Sequence, residues 1–211
     1  MKIFSLKPLS MCDTNSYLVV SDSSNCVLID APDDADYIIE QINLLGLTLK
    51  KIFLTHGHFD HVGAVADLVE ETGCEVYIHK NDLPKLMDGD GGLSRFFGAG
   101  NIKKVSSAVP FTEDDVLTLD ELEFDVLHTP GHTSGSCCFI IGCNMFSGDT
   151  LFRLSVGRTD LPDGDHDVLM DSLRKINDLA GDLKVFPGHM KTTTLDYEKN
   201  CNPYLKHLGD R

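Results

Sequence analysis

The chain has 211 residues, with 18 basic side chains against 33 acidic ones and a formal charge of -15. That charge repels phosphate backbones and anionic bilayers, which excludes nucleic acid and membrane surfaces as expected partners and leaves a small-molecule substrate. An apolar fraction of 42% is ordinary for a folded globule, and nowhere does an apolar run reach the length of a membrane span.

In chain order, "NSYLVV" and "NCVLID" are β-rich runs separated by a polar turn cluster and predict an N-terminal hairpin. "DDADYIIEQINLLGL", residues 33–47, starts acidic, places Ile38, Ile39, Ile42 and Leu45 at helical spacing, and meets Gly46 near its end, so it predicts a helix. "KKIFLT" predicts a buried strand that runs into a histidine-rich loop, and "VGAVADLVEETG" a helix stopped by Gly73. "EVYIH" reads as a further strand and residues 81–101 as a glycine-rich excursion with one or two short helices. Residues 111–152 hold closely spaced strands broken by Gly, Pro and polar pairs. After them come a helix at "DHDVLMDSLRKINDL", a strand at "KVFPGH" and a C-terminal helix at "YEKNCNPYLKHLG". Strands followed by helix, twice over, predict an α/β (α+β) chain: two sheets face to face with helices outside. No linker divides residues 1–211, which predicts one domain.

The seven cysteines form an odd set without C-x-x-C spacing, several of them in apolar runs, and fit reduced thiols of a cytoplasmic protein.

The chemistry is concentrated in "LTHGHFDHVG", residues 54–63, which carries His56, His58, Asp60 and His61. Neutral imidazoles suit zinc, iron and similar ions, and carboxylates complete mixed nitrogen and oxygen sites. Four donors on one tight loop are too few for two coordination shells. Three later turns offer the remainder: His132 in "TPGHTSG", Asp149 in "FSGDTLF" and His189 in "VFPGH". Each follows an apolar run and sits beside glycine, where a strand end lets the backbone bend into a cleft. The total is five histidines and two aspartates, enough for two ions with one aspartate shared. His79, His166 and His207 read as structural or solvated, and His128 as a supporting group rather than a ligand.

These motifs, in this order, resemble the metallo-β-lactamase superfamily across nearly the whole chain: "THGHFDHVG" is similar to its signature T-H-x-H-x-D-H-x-G, and the three later turns to its remaining metal motifs. The resemblance implies a four-layer αββα sandwich of two mixed β-sheets, with the site along one edge. It implies one ion on His56, His58 and His132, a second on Asp60, His61 and His189, and Asp149 bridging them. Asp149 stands where zinc β-lactamases carry cysteine or serine, and His58 where flavodiiron proteins usually carry glutamate. "GRTDLPDGD", residues 157–165, and "TTTLDYEKNCNPYL" resemble small glyoxalase II-like hydrolases, the hydroxyacylglutathione hydrolase group. The glutathione-binding C-terminal helical domain of glyoxalase II is not expected within this chain. Met190 follows His189 where relatives usually have Gly or Glu.

The expected cofactors are two divalent metal ions, zinc first, with iron or manganese also accepted by these donors. Two such ions roughly 3.5–4 Å apart lower the pKa of a shared water toward about 7, so the expected activity is thioester or ester hydrolysis by a metal-bound hydroxide. Asp60 and Asp149 are the candidates to orient that water. Asp30 is a candidate to accept the outer N–H of a ligand imidazole. Arg158 could bind a substrate carboxylate through two parallel hydrogen bonds, or pair with Asp160 or Asp165. Two alternatives stand beside the hydrolase: a persulfide dioxygenase-like enzyme with one iron on His56, His132 and Asp149, and a catalytically silent binding module. Residues 88–101 and 153–165 are expected to shape the substrate pocket. Oligomeric state is left open by these motifs.

Overall fold

In the computed structural model, described for residues 1–9, 12–88, 102–206 and 208, two six-stranded mixed sheets lie face to face. The first is ordered β1 (Lys2–Ser5), β2 (Tyr17–Val20), β3 (Asn25–Ile29), β4 (Thr48–Leu54), β5 (Glu75–His79) and β6 (Val109–Phe111). The predicted hairpin is β2–β3, with Val20 opposite Cys26. From β3 to β6 the pairing is parallel, and β3 and the end of β4 are continuously buried, as parallel strands covered on both faces require. The short N-terminal strand β1 lies outside the predicted elements.

The second sheet contains β7 (Val116–Leu119), β8 (Leu122–His128), β9 (Cys137–Ile141), β10 (Asn144–Gly148), β13 (Lys184–Pro187) and β14 (Thr193–Thr194), in the order β14-β13-β10-β9-β8-β7. A hairpin of β11 (Leu151–Phe152) and β12 (Ser155–Val156) stands apart from it. β7 and β8 alternate buried and exposed residues, so each directs one face inward. Between the sheets Tyr17, Phe53, Phe124, Phe139, Phe146 and Phe186 form an aromatic core. Phe53 meets Phe124 edge-on at 5.2 Å, a favoured aromatic geometry.

Helices cover the outer faces. α1 (Ala35–Leu44) and α3 (Val65–Thr72) bury Ile38, Ile42, Val65 and Leu68 against the first sheet. α5 (His166–Asn177) buries Leu169, Leu173 and Ile176 against the second. This is the expected αββα sandwich. Two one-turn elements, α2 (Phe59–Val62) and α4 (Leu83–Met87), follow β4 and β5. The C-terminal helix is α6 (Leu195–Cys201), earlier and shorter than the pattern at 197–209 predicts. Pro203 explains its stop: the residue before proline is pushed out of helical geometry, and Asn202 has ψ 124°. α4 realises part of the predicted excursion, but residues 89–101 and His207 lie outside the described residues. Among the described residues no helix is long and apolar enough to cross a membrane.

Candidate metal centre

All seven predicted donors converge at one edge of the sandwich, at the C-terminal ends of strands from both sheets. β4 ends at Leu54 and hands over to the loop that carries His56 and His58. Asp60 and His61 sit on α2, for which His58 is the N-cap. His132 follows β8, Asp149 follows β10 and His189 follows β13. The donor atoms fall into three groups whose members lie within 4.8 Å of one another: His56, His58 and His132; Asp60, His61 and His189; and, joining them, His56, His61 and Asp149. Asp149 is central. Its Oδ1 is 3.3 Å from His61 Nε2, and its Oδ2 lies 3.6 Å from His132 Nε2 and 3.3 Å from His189 Nε2.

Oxygen acceptors behind the rings hold four imidazoles in place through Nδ1. His61 Nδ1 donates to Asp30 Oδ2 at 2.9 Å, His132 Nδ1 to the Arg158 carbonyl at 2.8 Å and His189 Nδ1 to the Cys12 carbonyl at 3.1 Å, while His56 Nδ1 is 3.1 Å from Thr55 Oγ1. A hydrogen on Nδ1 leaves the Nε2 lone pair facing inward. His58 instead presents Nδ1, 2.9 Å from His132 Nε2. The centre is buried, yet His56 Nε2, His58 Nε2, His61 Nε2 and Asp149 Oδ1 make no hydrogen bond. Buried polar atoms without hydrogen bonds are costly, and three of these residues, His56, His61 and Asp149, form one group of converging ligand atoms, which fits donors for a cation.

The electrostatics separate the groups. Burial, reinforced by the neighbouring His61, His58 and His132, holds His56 well below the usual imidazole range. Burial and then His132 bring His58 down to about 3. Both rings are therefore neutral, as ligands must be. Burial alone would raise the carboxyl groups, but His61 outweighs it, with help from His189: Asp60 falls to about 2 and Asp149 well below its ordinary range. Burial likewise opposes charge on His61 and His189, and carboxylates prevail, Asp149 first in both cases. His61 rises well above its usual range and His189 to about 9. A bound cation would neutralise Asp60 and Asp149 in the same way.

Asp30, adjacent to the end of β3, also accepts from Thr55 N and Thr55 Oγ1, both at 2.8 Å, so it ties β3 to the start of the histidine loop. Asp30→Asn is expected to weaken metal affinity about 10- to 100-fold, because one neutral acceptor oxygen is left for three donors and the charge that orients His61 Nδ1–H is gone; competition with a fluorescent zinc chelator measures this. Close backbone approach explains Gly188, where a Cβ would lie 2.3 Å from Asp149 Oδ1 and 2.6 Å from His61 Cε1.

Two supporting residues carry no signal in the sequence pattern. Thr14 Oγ1 donates to Asp60 Oδ2 at 3.3 Å. Asp82, fully buried, receives the Gly57 and Gly135 amides and the Thr133 hydroxyl at 2.7–3.0 Å. Neither stands in a metal-type motif, although Asp82 precedes Leu83-Pro84 in a helix-start sequence. Arg158 lies at the rim, its guanidinium held by Asp160 at 2.7 and 2.8 Å, whereas Asp165 caps α5. His79 stacks on His128 at 4.1 Å, away from the centre, and burial lowers it to about 4. His166 begins α5. Cys26, Cys74, Cys137 and Cys138 are buried, whereas Cys143 and Cys201 are exposed.

Residues 9–189 match the Metallo-beta-lactamase superfamily. Hydroxyacylglutathione hydrolase GloC of Haemophilus influenzae is 36% identical over 94% of this chain and 95% of its own length. A structure described as BLEG-1 B3 metallo-beta-lactamase superposes with a TM-score of 0.90 at 36% identity, covering 97% of this chain and 99% of that one. TTHA1623 in a di-iron-bound form gives 0.87 at 40% identity over 96% and 100%. Sequence, fold and the placement of the His/Asp cluster agree, and the chain belongs to the metallo-beta-lactamase superfamily.

Proposed function

We propose that the chain is a dinuclear metal-dependent hydrolase of thioesters or esters, similar in reaction to hydroxyacylglutathione hydrolases. One observation carries the reading: two sets of three buried or half-buried donors joined through Asp149, with His56 Nε2, His61 Nε2 and Asp149 Oδ1 buried and without a hydrogen bond. His56, His58 and His132 would hold one ion, Asp60, His61 and His189 the other, and Asp149 would be shared. Zinc, iron and manganese all suit these donors, and TTHA1623 is described as di-iron-bound. A bound ion pair supplies an ionised water near neutral pH and positive charge for a developing oxyanion.

The chain's own groups do the rest. Asp60 and Asp149, kept ionised, orient the attacking water through their carboxylate oxygens. Asp30 and the carbonyls of Arg158 and Cys12 fix the imidazoles, so little reorganisation accompanies the reaction. A thiolate leaves without a dedicated general acid. The donor set Asp60, His61 and His189 favours two ions over the mononuclear iron alternative, which would leave it without a task.

The test is hydrolysis of S-lactoylglutathione and 4-nitrophenyl esters by the purified protein before and after chelation. The expected result is turnover that chelator abolishes and zinc, iron or manganese restores, with nitrocefin untouched because Asp149 occupies the position of the lactamase cysteine or serine. No turnover of any thioester or ester by metal-loaded protein would overturn the reading.

A further inference from the structure

The walls of the site, rather than its donors, point to the kind of substrate. A cavity of about 360 Å³ opens directly over Asp60, His132, Asp149 and His189. Away from those donors it is walled by Phe59, Phe152, Val156, Leu161 and Met190. Phe59 and Phe152 are buried and therefore fixed. Met190 is the unusual member. Its φ is 68°, the left-handed region that disfavours a residue with a Cβ, and it is held there by Asn15 Nδ2, which donates to its carbonyl at 2.8 Å. The residue is nonetheless 57% exposed. A strained backbone that holds an apolar side chain in the open gains little for folding; an apolar ligand would cover it.

Charge points the same way. Among the described residues lining the cavity Arg158 is the one lysine or arginine, and Asp160 already holds the Nε–Nη2 edge of its guanidinium. An anionic substrate group at the rim would have to displace Asp160 or lie beside its carboxylate.

Resting on the hydrolase reading, we propose that this cavity binds an apolar acyl group, a straight alkyl chain such as butanoyl or hexanoyl. Phe59, Phe152, Leu161 and Met190 determine that specificity. Burial of two further methylenes is worth about a tenfold change.

The experiment compares kcat/KM of metal-loaded protein on 4-nitrophenyl acetate, butanoate and hexanoate, and on S-butanoylglutathione against S-lactoylglutathione, which share a leaving group. The expected result is a rise of about tenfold per pair of methylenes, and butanoyl preferred over lactoyl. Met190→Gly should leave the thermal midpoint unchanged or raised, since it relieves the φ, while lowering the hexanoate-to-acetate ratio several-fold. Leu161→Asp should lower the same ratio. In parallel, calorimetry should find hexanoate bound about a hundredfold more tightly than acetate, four methylenes shorter. A flat acyl series, a preference for lactoyl, or a ratio that both variants leave intact would overturn the proposal. Absence of all turnover would instead overturn the hydrolase reading, and the calorimetric ratio would then decide the cavity: equal affinities would overturn the inference.

Discussion

Asp149→Ala is expected to lower kcat/KM at least about a hundredfold, the scale of losing one preorganised charged group at a reacting centre, and to reduce bound metal. The reason is position. This buried carboxylate lies 3.3–3.6 Å from His61, His132 and His189, and so reaches members of both donor sets. Without it five imidazoles remain with Asp60 as the remaining inward carboxylate, and two dications would be poorly neutralised. The Asp149 side chain belongs to no hydrophobic cluster, so the fold should survive. Kinetics, metal content and a circular dichroism spectrum on one preparation check all three parts. Wild-type turnover in this variant would contradict the assignment of Asp149.

Asp82→Ala should cost stability instead, about 3–5 kcal/mol in urea unfolding, because it strands buried donors around a lost charge. Asp82 Oδ2 accepts from Gly57 N at 2.7 Å and Thr133 Oγ1 at 2.8 Å, and Oδ1 accepts from Gly135 N at 3.0 Å and from Lys85 Nζ. Gly57 separates His56 from His58, and Thr133 to Gly135 directly follow His132. One carboxylate therefore fixes both loops of the first donor set. Asp82→Asn keeps one acceptor oxygen and should lose less. An alanine variant as stable as the parent would show that these loops are held by other contacts.

What the sequence makes legible follows from range. The histidine loop and the glycine-flanked turns are local signals: a strand end, a bend and a donor within a few residues. All seven candidate donors that the structure brings together can therefore be named from the sequence, and the helices α1, α3 and α5 follow from their apolar spacing. Asp82 is not legible, because its meaning lies in partners 25, 51 and 53 residues away. It stands at the N-cap of α4, but its side chain makes no cap and turns to the loops that carry His56, His58 and His132. Asp30 is legible as a candidate since a strand-end aspartate beside a metal loop commonly supports a ligand. Arg158 has two possible partners in the pattern, and only the three-dimensional arrangement distinguishes a bidentate contact with Asp160 from a free guanidinium. The strained φ of Met190 is invisible in sequence, although methionine beside the "PGH" turn marks the position as unusual.

The most direct test of a dinuclear centre is metal stoichiometry, measured by plasma mass spectrometry on protein reconstituted with zinc, iron or manganese and freed of loose ions. Two divalent ions per chain are predicted, both lost on chelation. One ion per chain, above all one iron accompanied by oxygen consumption, would contradict the account.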